Sequence, residues 1–415
     1  MTHAVQPLAP WRALGALLAA VALVVGCGGG DSGVGTGGTG SPQSFSQGPI
    51  SGFGSIIVNG VHFDDTGASV VDDDGNALSH AQDLHLGTVV DVEGGAVTDN
   101  AATASTIRVH VDLVGPVTAA YDAASGRLAV LGQPVRVVST TALDGLAGGA
   151  AAIAAGSTVK VSSLYDKATG VYVATRIELA PGAARFAIRG APSAIDTTAA
   201  TFTIGGAVFS YGTVRVPAPF AVGQLLRAVL ATTRDGQGRW VVTAFGQAQP
   251  RLPDGRAGGV DGVVSSITDA AHFVVNGVSV DATSAKVTPT GASIGVQSRV
   301  VVQGIVTGGV LVASAVHVRA GHDNDDDQGG LIGDDGGNGN NGNGNDAFEL
   351  DGAILTLDVA HQTFTMRGPT TVGYASATFA GGTAANLAVG TKVEVRGKLS
   401  ADGTMVVASK VKIDR

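Results

Sequence analysis

The sequence predicts an all-β protein, a tandem array of small five-stranded barrels. Three observations lead there. The 415 residues include 63 glycines, 44% apolar residues and only 5% aromatics, a composition that favours short strands and tight turns over long helices. Apolar and polar residues alternate in short runs, the period of a strand with one wet face. Those runs recur at a single interval along most of the chain.

The N-terminus comes first. Residues 1–12 carry one fixed positive side chain, Arg12, and an unbroken apolar run of thirteen follows from Ala13 to Val25. A bilayer-spanning helix needs roughly 20 such residues, so the run reads as a signal h-region. It ends in Val24-Val25-Gly26-Cys27, which resembles the bacterial lipobox. A small residue precedes the cut between Gly26 and Cys27, and the thiol accepts a diacylglycerol. Cys27 is the only cysteine, so no internal disulfide forms. In lipoproteins of this kind Asp after the Cys favours the inner membrane. Gly28 stands there instead, which implies a lipid-anchored outer-membrane address, with the leaflet left open. Residues 27–47 then form a lipidated Gly/Ser tether with a reach of roughly 25 Å.

Three markers define the repeats. The first is a glycine leading an apolar alternation, at Gly87, Gly156, Gly223, Gly295 and Gly390, spaced 69, 67, 72 and 95 residues apart. The last gap holds an acidic insertion of 28 residues, and without it the interval is 67. The second marker is an Ala-led strand such as Ala104–Val109 or Ala313–Val318, degraded in the third repeat around Val242–Phe245. The third is a hairpin near the start of each repeat, marked by Asn59-Gly60 and Asn276-Gly277 in two copies. That pair suits a two-residue turn. With an opening strand, each repeat has five strands in about 70 residues, which suits an OB-like barrel whose closure removes the sheet edges. A β-sandwich built across two repeats satisfies the same spacings. The repeats are placed at 48–114, 115–189, 190–250, 251–319 and 348–415. The Gly/Asn/Asp-rich segment 320–347 reads as a linker spanning roughly 30 Å, which leaves the fifth repeat free to move.

With three markers at one period behind a lipobox, the chain resembles Gram-negative envelope lipoproteins built from repeats of the domain of unknown function 5666. The nearest likeness is Gly52-Phe53-Gly54-Ser55-Ile56-Ile57-Val58-Asn59-Gly60-Val61. The resemblance implies an OB-like β fold and an envelope address. It implies no activity and no catalytic residues.

Charge and motifs narrow the function. Removal of residues 1–26 leaves 24 basic against 34 acidic groups, which excludes a phosphate-binding nucleic-acid surface. Gly30-Asp31-Ser32-Gly33 spells a serine-protease box but lies three residues after the anchor in a coil, without the His and Asp such chemistry needs. Gly28–Gly33 spells a dinucleotide loop without strand or helix. Gly291-Ala292-Ser293-Ile294-Gly295 spells a hydrolase elbow, yet the repeat frame makes Gly295 the strand-leading glycine. His80, Asp83 and His85 are the nearest approach to a metal cluster, and they lack a further ligand at defined geometry. Counted from Asp323, an EF-hand loop would need Gly at Gln328 and Glu at Asp334, so calcium at the acidic segment stays open as a loose association only. His110 and His317 fall on the polar side of their strands, which predicts exposure. Phe63, Phe202, Phe273 and Phe364 fall on the apolar side, which predicts core.

The reading that follows is a non-catalytic binding or spacer module without cofactor, held to the membrane at Cys27, with an envelope protein or polysaccharide as partner. A carbohydrate-binding module using Trp240, Tyr172 and Tyr211 as stacking contacts is the alternative, and an unrecognised enzyme the third.

Overall fold

A computed structural model describes residues 44–248, 254–275, 277–296, 298–318 and 348–414. The signal segment, Cys27, most of the tether and the acidic segment 320–347 lie outside the described residues. Barrel 1 shows how each repeat closes. Its strands are Ser44–Phe53, Ile56–Val58, Val61–Asp64, Val89–Gly94 and Ala101–His110. The first pairs antiparallel with the second and the fourth, the second with the third, and the fourth with the fifth. The third and fifth pair in parallel, Phe63 opposite Ala102. The ring order is therefore 1-2-3-5-4-1, and no edge is left over.

Barrels 2 and 4 close in the same order. In barrels 3 and 5 the opening strand comes in two pieces, Phe186–Gly190 with Ala194–Asp196 and Phe348–Ala353 with Thr356–Asp358. Pro192 lies in the first break, where a missing N–H interrupts the ladder. Closed barrels decide between the two architectures the spacings allowed. A short sixth strand, not foreseen, adds in parallel to the last strand of four barrels, at Ser69–Val71, Ala142–Asp144, Lys286–Thr288 and Thr378–Ala380. Three residues are too few to carry a readable period.

The repeated glycines have a turn to make. Thr88 N–H donates to the His85 carbonyl, closing a turn whose third residue, Gly87, has φ +78°. Only glycine takes that left-handed position freely. The same bond recurs at Ser157, Gln224 and Thr391. In barrel 4 it runs from Ser298 to Gly295, so Gly295 opens that turn instead of leading the strand.

The barrels are welded by their opening strands. Ser44–Gln47 of barrel 1 pair in parallel with Ala257–Val260 of barrel 4, and Gly52–Phe53 with Glu349–Leu350 of barrel 5. Barrels 2 and 3 join where Leu113–Val114 meet Ala187–Ile188. Barrels 1 and 5 share one core, which contains Phe53, Phe63 and Ile107 together with Phe364, Val395 and Val411. Barrels 2 and 3 share a second, and barrel 4 has its own around Phe273 and Val302.

Several expectations change. The fifth repeat is not free: besides the shared core, Arg367 pairs with buried Asp65 of barrel 1 and lies over the Phe53 ring. A pliant linker in sequence carries no information on whether the domain beyond it docks. Ser44–Gln47, counted with the tether, belong to the first strand, Leu113–Val114 open barrel 2, and Phe186–Arg189 open barrel 3. The four phenylalanines expected in the core are buried. Among the described residues no helix is long and apolar enough to cross a membrane.

Candidate functional site

Barrels 1 to 4 meet around a buried knot of charges. It is built by a loop of barrel 1, Asp72-Asp73-Asp74-Gly75-Asn76. The Asp72 carboxylate accepts from the backbone N–H of Asp74 and Asn76 and from the Asn76 amide, at 2.8–2.9 Å. With Asp72 occupied in shaping the turn, Asp73 and Asp74 reach across to barrel 3. Arg189 and His110 both donate to Asp73 Oδ1, each at 2.5 Å. Arg227 donates to Asp74 Oδ1 at 2.5 Å and lies 3.4 Å from Asp73.

The chain of contacts continues on both sides. His110 Nε2 lies 2.9 Å from Asp91, whose other oxygen accepts from Gln47 Nε2 at 2.9 Å. Arg189 also faces Asp112 at 3.4 Å, and Ser163 Oγ of barrel 2 donates to Asp112 at 2.5 Å. Burial by itself would depress the His110 pKa. Asp91 and Asp73 outweigh both burial and the repulsion of Arg189, and lift it to about 9. Burial likewise opposes the charge on Asp73, but Arg189, His110 and Arg227 hold its carboxyl well below the usual range. Asp112 moves the other way: burial raises it despite Arg189 and the Ser163 bond.

Beside this knot lies a cavity of about 230 Å³. His110, Asp112, Arg189 and Gln47 line its inner side, Tyr165 and Lys167 come from barrel 2, and Ser265, Ser266 and Ser279 from barrel 4. Gln47 is 4% exposed and its Oε1 has no hydrogen-bond partner. The amide orientation is fixed by chemistry, since a carboxylate only accepts and Nε2 must therefore face Asp91. The unpartnered atom is the acceptor Oε1, and it is itself buried. The Ser163 hydroxyl is spent on Asp112, and the His110 ring is clamped between two carboxylates, so it has no free nitrogen to offer as a base.

The sequence candidates fare differently. Trp240, Tyr172 and Tyr211 are 4%, 0% and 8% exposed and belong to the core of barrels 2 and 3. Trp240 packs edge-on against Phe186, and the Tyr172 hydroxyl donates to the Arg189 carbonyl at 2.7 Å. None presents a face for stacking, so their assignment as ligand contacts is corrected. Aromatic content does not reveal which rings a barrel needs for its own interior. His110, expected on the wet face, is 5% exposed because barrels 2 and 3 cover it. His80, Asp83 and His85 turn to different partners: His80 to the Ala68 carbonyl, Asp83 to the Ser79 N–H, His85 toward Glu178 of barrel 2. His85, Asp144 and Glu178 do place ligand atoms within 4.8 Å of one another. Arg176, however, pairs with both acids and Lys160 with Glu178, so a dication there would displace or oppose two cations already bound. That cluster reads as a clasp between barrels 1 and 2. Cys27, Gly26 and the acidic segment lie outside the described residues.

Of the residues that matter at the junction, Asp73 stood out only as part of the acidic run Asp72–Asn76, which raises calcium, while Gln47, Asp91, Asp112, Arg189 and Arg227 were not singled out from sequence. One signal existed: Ile188-Arg189-Gly190 and Leu226-Arg227-Ala228 set an arginine inside an otherwise apolar strand, where an unpaired charge would be costly.

Three segments, residues 47–108, 114–178 and 350–412, match the family described as domain of unknown function (DUF5666). They correspond to barrels 1, 2 and 5. No curated protein matches the chain. Among solved structures, Drosophila Unr CSD456 aligns over 51% of this chain and 98% of its own at 13% identity and a TM-score of 0.13.

Proposed function

We propose, from the premise that barrels 1, 2 and 5 of this chain belong to the DUF5666 family, that the protein is a lipid-anchored cell-envelope binding module without catalytic chemistry of its own. The observation that carries the reading is the polar cavity where four barrels converge, backed by a charge network that leaves no free base or nucleophile. Rigid walls drawn from several domains suit ligand binding, because domain interfaces supply concave sites without loop rearrangement. Barrels that pair edge to edge and share cores favour binding over spacing, since a spacer gains length only from units joined end to end. The address rests on Val24-Val25-Gly26-Cys27: cleavage before Cys27 and acylation of its thiol tether the module to the outer membrane.

Two measurements test this. Radiolabelled palmitate should enter the wild-type chain and not Cys27→Ser, and label in the mutant refutes the anchor. Purified protein should turn over no ester, glycoside or peptide substrate. Turnover abolished by Ser163→Ala overturns the non-catalytic reading.

A further inference from the structure

The geometry points to an occupant for the junction cavity: we infer that it holds a single acidic sugar, free or at the end of a glycan. The inference rests on the binding reading of the same cavity. Size sets the first limit. About 230 Å³ falls below the ~300–1,000 Å³ of sites for drug-sized ligands, so the occupant is one ring rather than a chain segment. The lining sets the second. Apolar Val89, Leu225 and Val274 share the lining with the hydroxyl and amide side chains of Ser266, Ser279 and Gln224. Such groups both donate and accept, which matches the vicinal hydroxyls of a sugar.

Polarity then orients the ring. The inner side presents the Asp112 carboxylate beside the buried Gln47 side chain. It calls for a donor and repels an anion, so a neutral ligand hydroxyl faces inward. Lys167, an exposed residue of the lining, has no ion pair among the described residues. His110 and Arg189, the other cations of the lining, are already committed to Asp73, Asp91 and Asp112. A carboxylate on the ligand therefore finds its counter-charge at the mouth. A polyol with one acid at one end, a hexuronate, satisfies both ends at once.

The test is calorimetric titration of the full mature chain with sodium glucuronate, glucose, sodium acetate and a glucuronate-terminated oligosaccharide. Glucuronate should bind with one site per chain. Glucose should bind about two- to fivefold more weakly, the worth of one exposed ion pair, and acetate should not bind. Lys167→Ala should bring glucuronate down to glucose. Ser279→Trp, at an exposed wall position, should abolish binding while the circular dichroism stays unchanged. Comparison of monosaccharide and oligosaccharide tells a free sugar from a glycan terminus. No saturable binding at millimolar glucuronate, or binding indifferent to Ser279→Trp, overturns the inference. That result leaves the non-catalytic reading standing, because the reading falls only on turnover.

Discussion

Replacing Asp73 by Asn tests the junction most directly. Asn keeps the shape of the side chain and removes the charge that His110, Arg189 and Arg227 share. All four side chains are at most 8% exposed, so water does little to replace the lost partner. Removing one member of a buried ion pair costs about 3–5 kcal/mol. Each cation here keeps a second acid, Asp91 for His110, Asp112 for Arg189 and Asp74 for Arg227, which places the expected loss near the lower end, about 3 kcal/mol. The pH dependence follows from the two shifts. His110 has its folded pKa raised from 6.5 to about 9, so its stabilisation is complete below 6.5 and lost as pH rises through about 9. Asp73 is depressed below its ordinary value of 3.8, so its stabilisation is present above that value and lost in acid. The gap between wild type and Asp73→Asn should thus be widest between about pH 4 and 6.5 and shrink on either side. Urea unfolding followed by the fluorescence of Trp240, which reports on barrel 3, measures it. A loss under about 1 kcal/mol, with no pH dependence, would mean that the knot is solvated and the packing of barrels 1 to 3 is wrong.

Other outcomes follow from the same packing. Trp240→Ala should cost about 3–5 kcal/mol of stability, read by denaturant titration with circular dichroism, and leave sugar affinity unchanged while the protein stays folded. Reduced affinity without lost stability would return Trp240 to the binding surface. Gly304→Ala would set a Cβ 2.0 Å from the Val312 carbonyl oxygen at the bulge between the last two strands of barrel 4. Faster hydrogen exchange across Arg299–Thr307 is expected, with a cost of at least about 1–3 kcal/mol, and unchanged protection would refute the register. A protease site engineered near residue 330 and cut should leave barrel 5 eluting with barrels 1 to 4. Separation on a sizing column under native conditions would disprove the shared core of barrels 1 and 5.

Local patterning determined a great deal. Four of the five Gly-led strands, the Ala-led strands and the hairpins appear where alternation placed them, because a strand's side-chain period and a turn's need for positive φ are properties of neighbouring residues. Repetition multiplied that signal, so the five ring strands and the barrel number were legible even where one repeat had degraded. The sixth strand and the split openers of barrels 3 and 5 were not, since three-residue runs and a proline break leave no period to read.

The candidate site belongs to tertiary structure alone. Asp73 and Arg189 are 116 positions apart, and Arg367 and Asp65 are 302, distances at which one sequence carries no pairing information. Exposure of His110 was misread for the same reason: alternation says which face a side chain takes, while a neighbouring barrel decides whether that face stays wet. Sequence therefore determined the barrels and their number. Only the folding of distant repeats onto one another decided which charges are buried and where a cavity opens, because burial at such a junction comes from contacts that no local rule encodes.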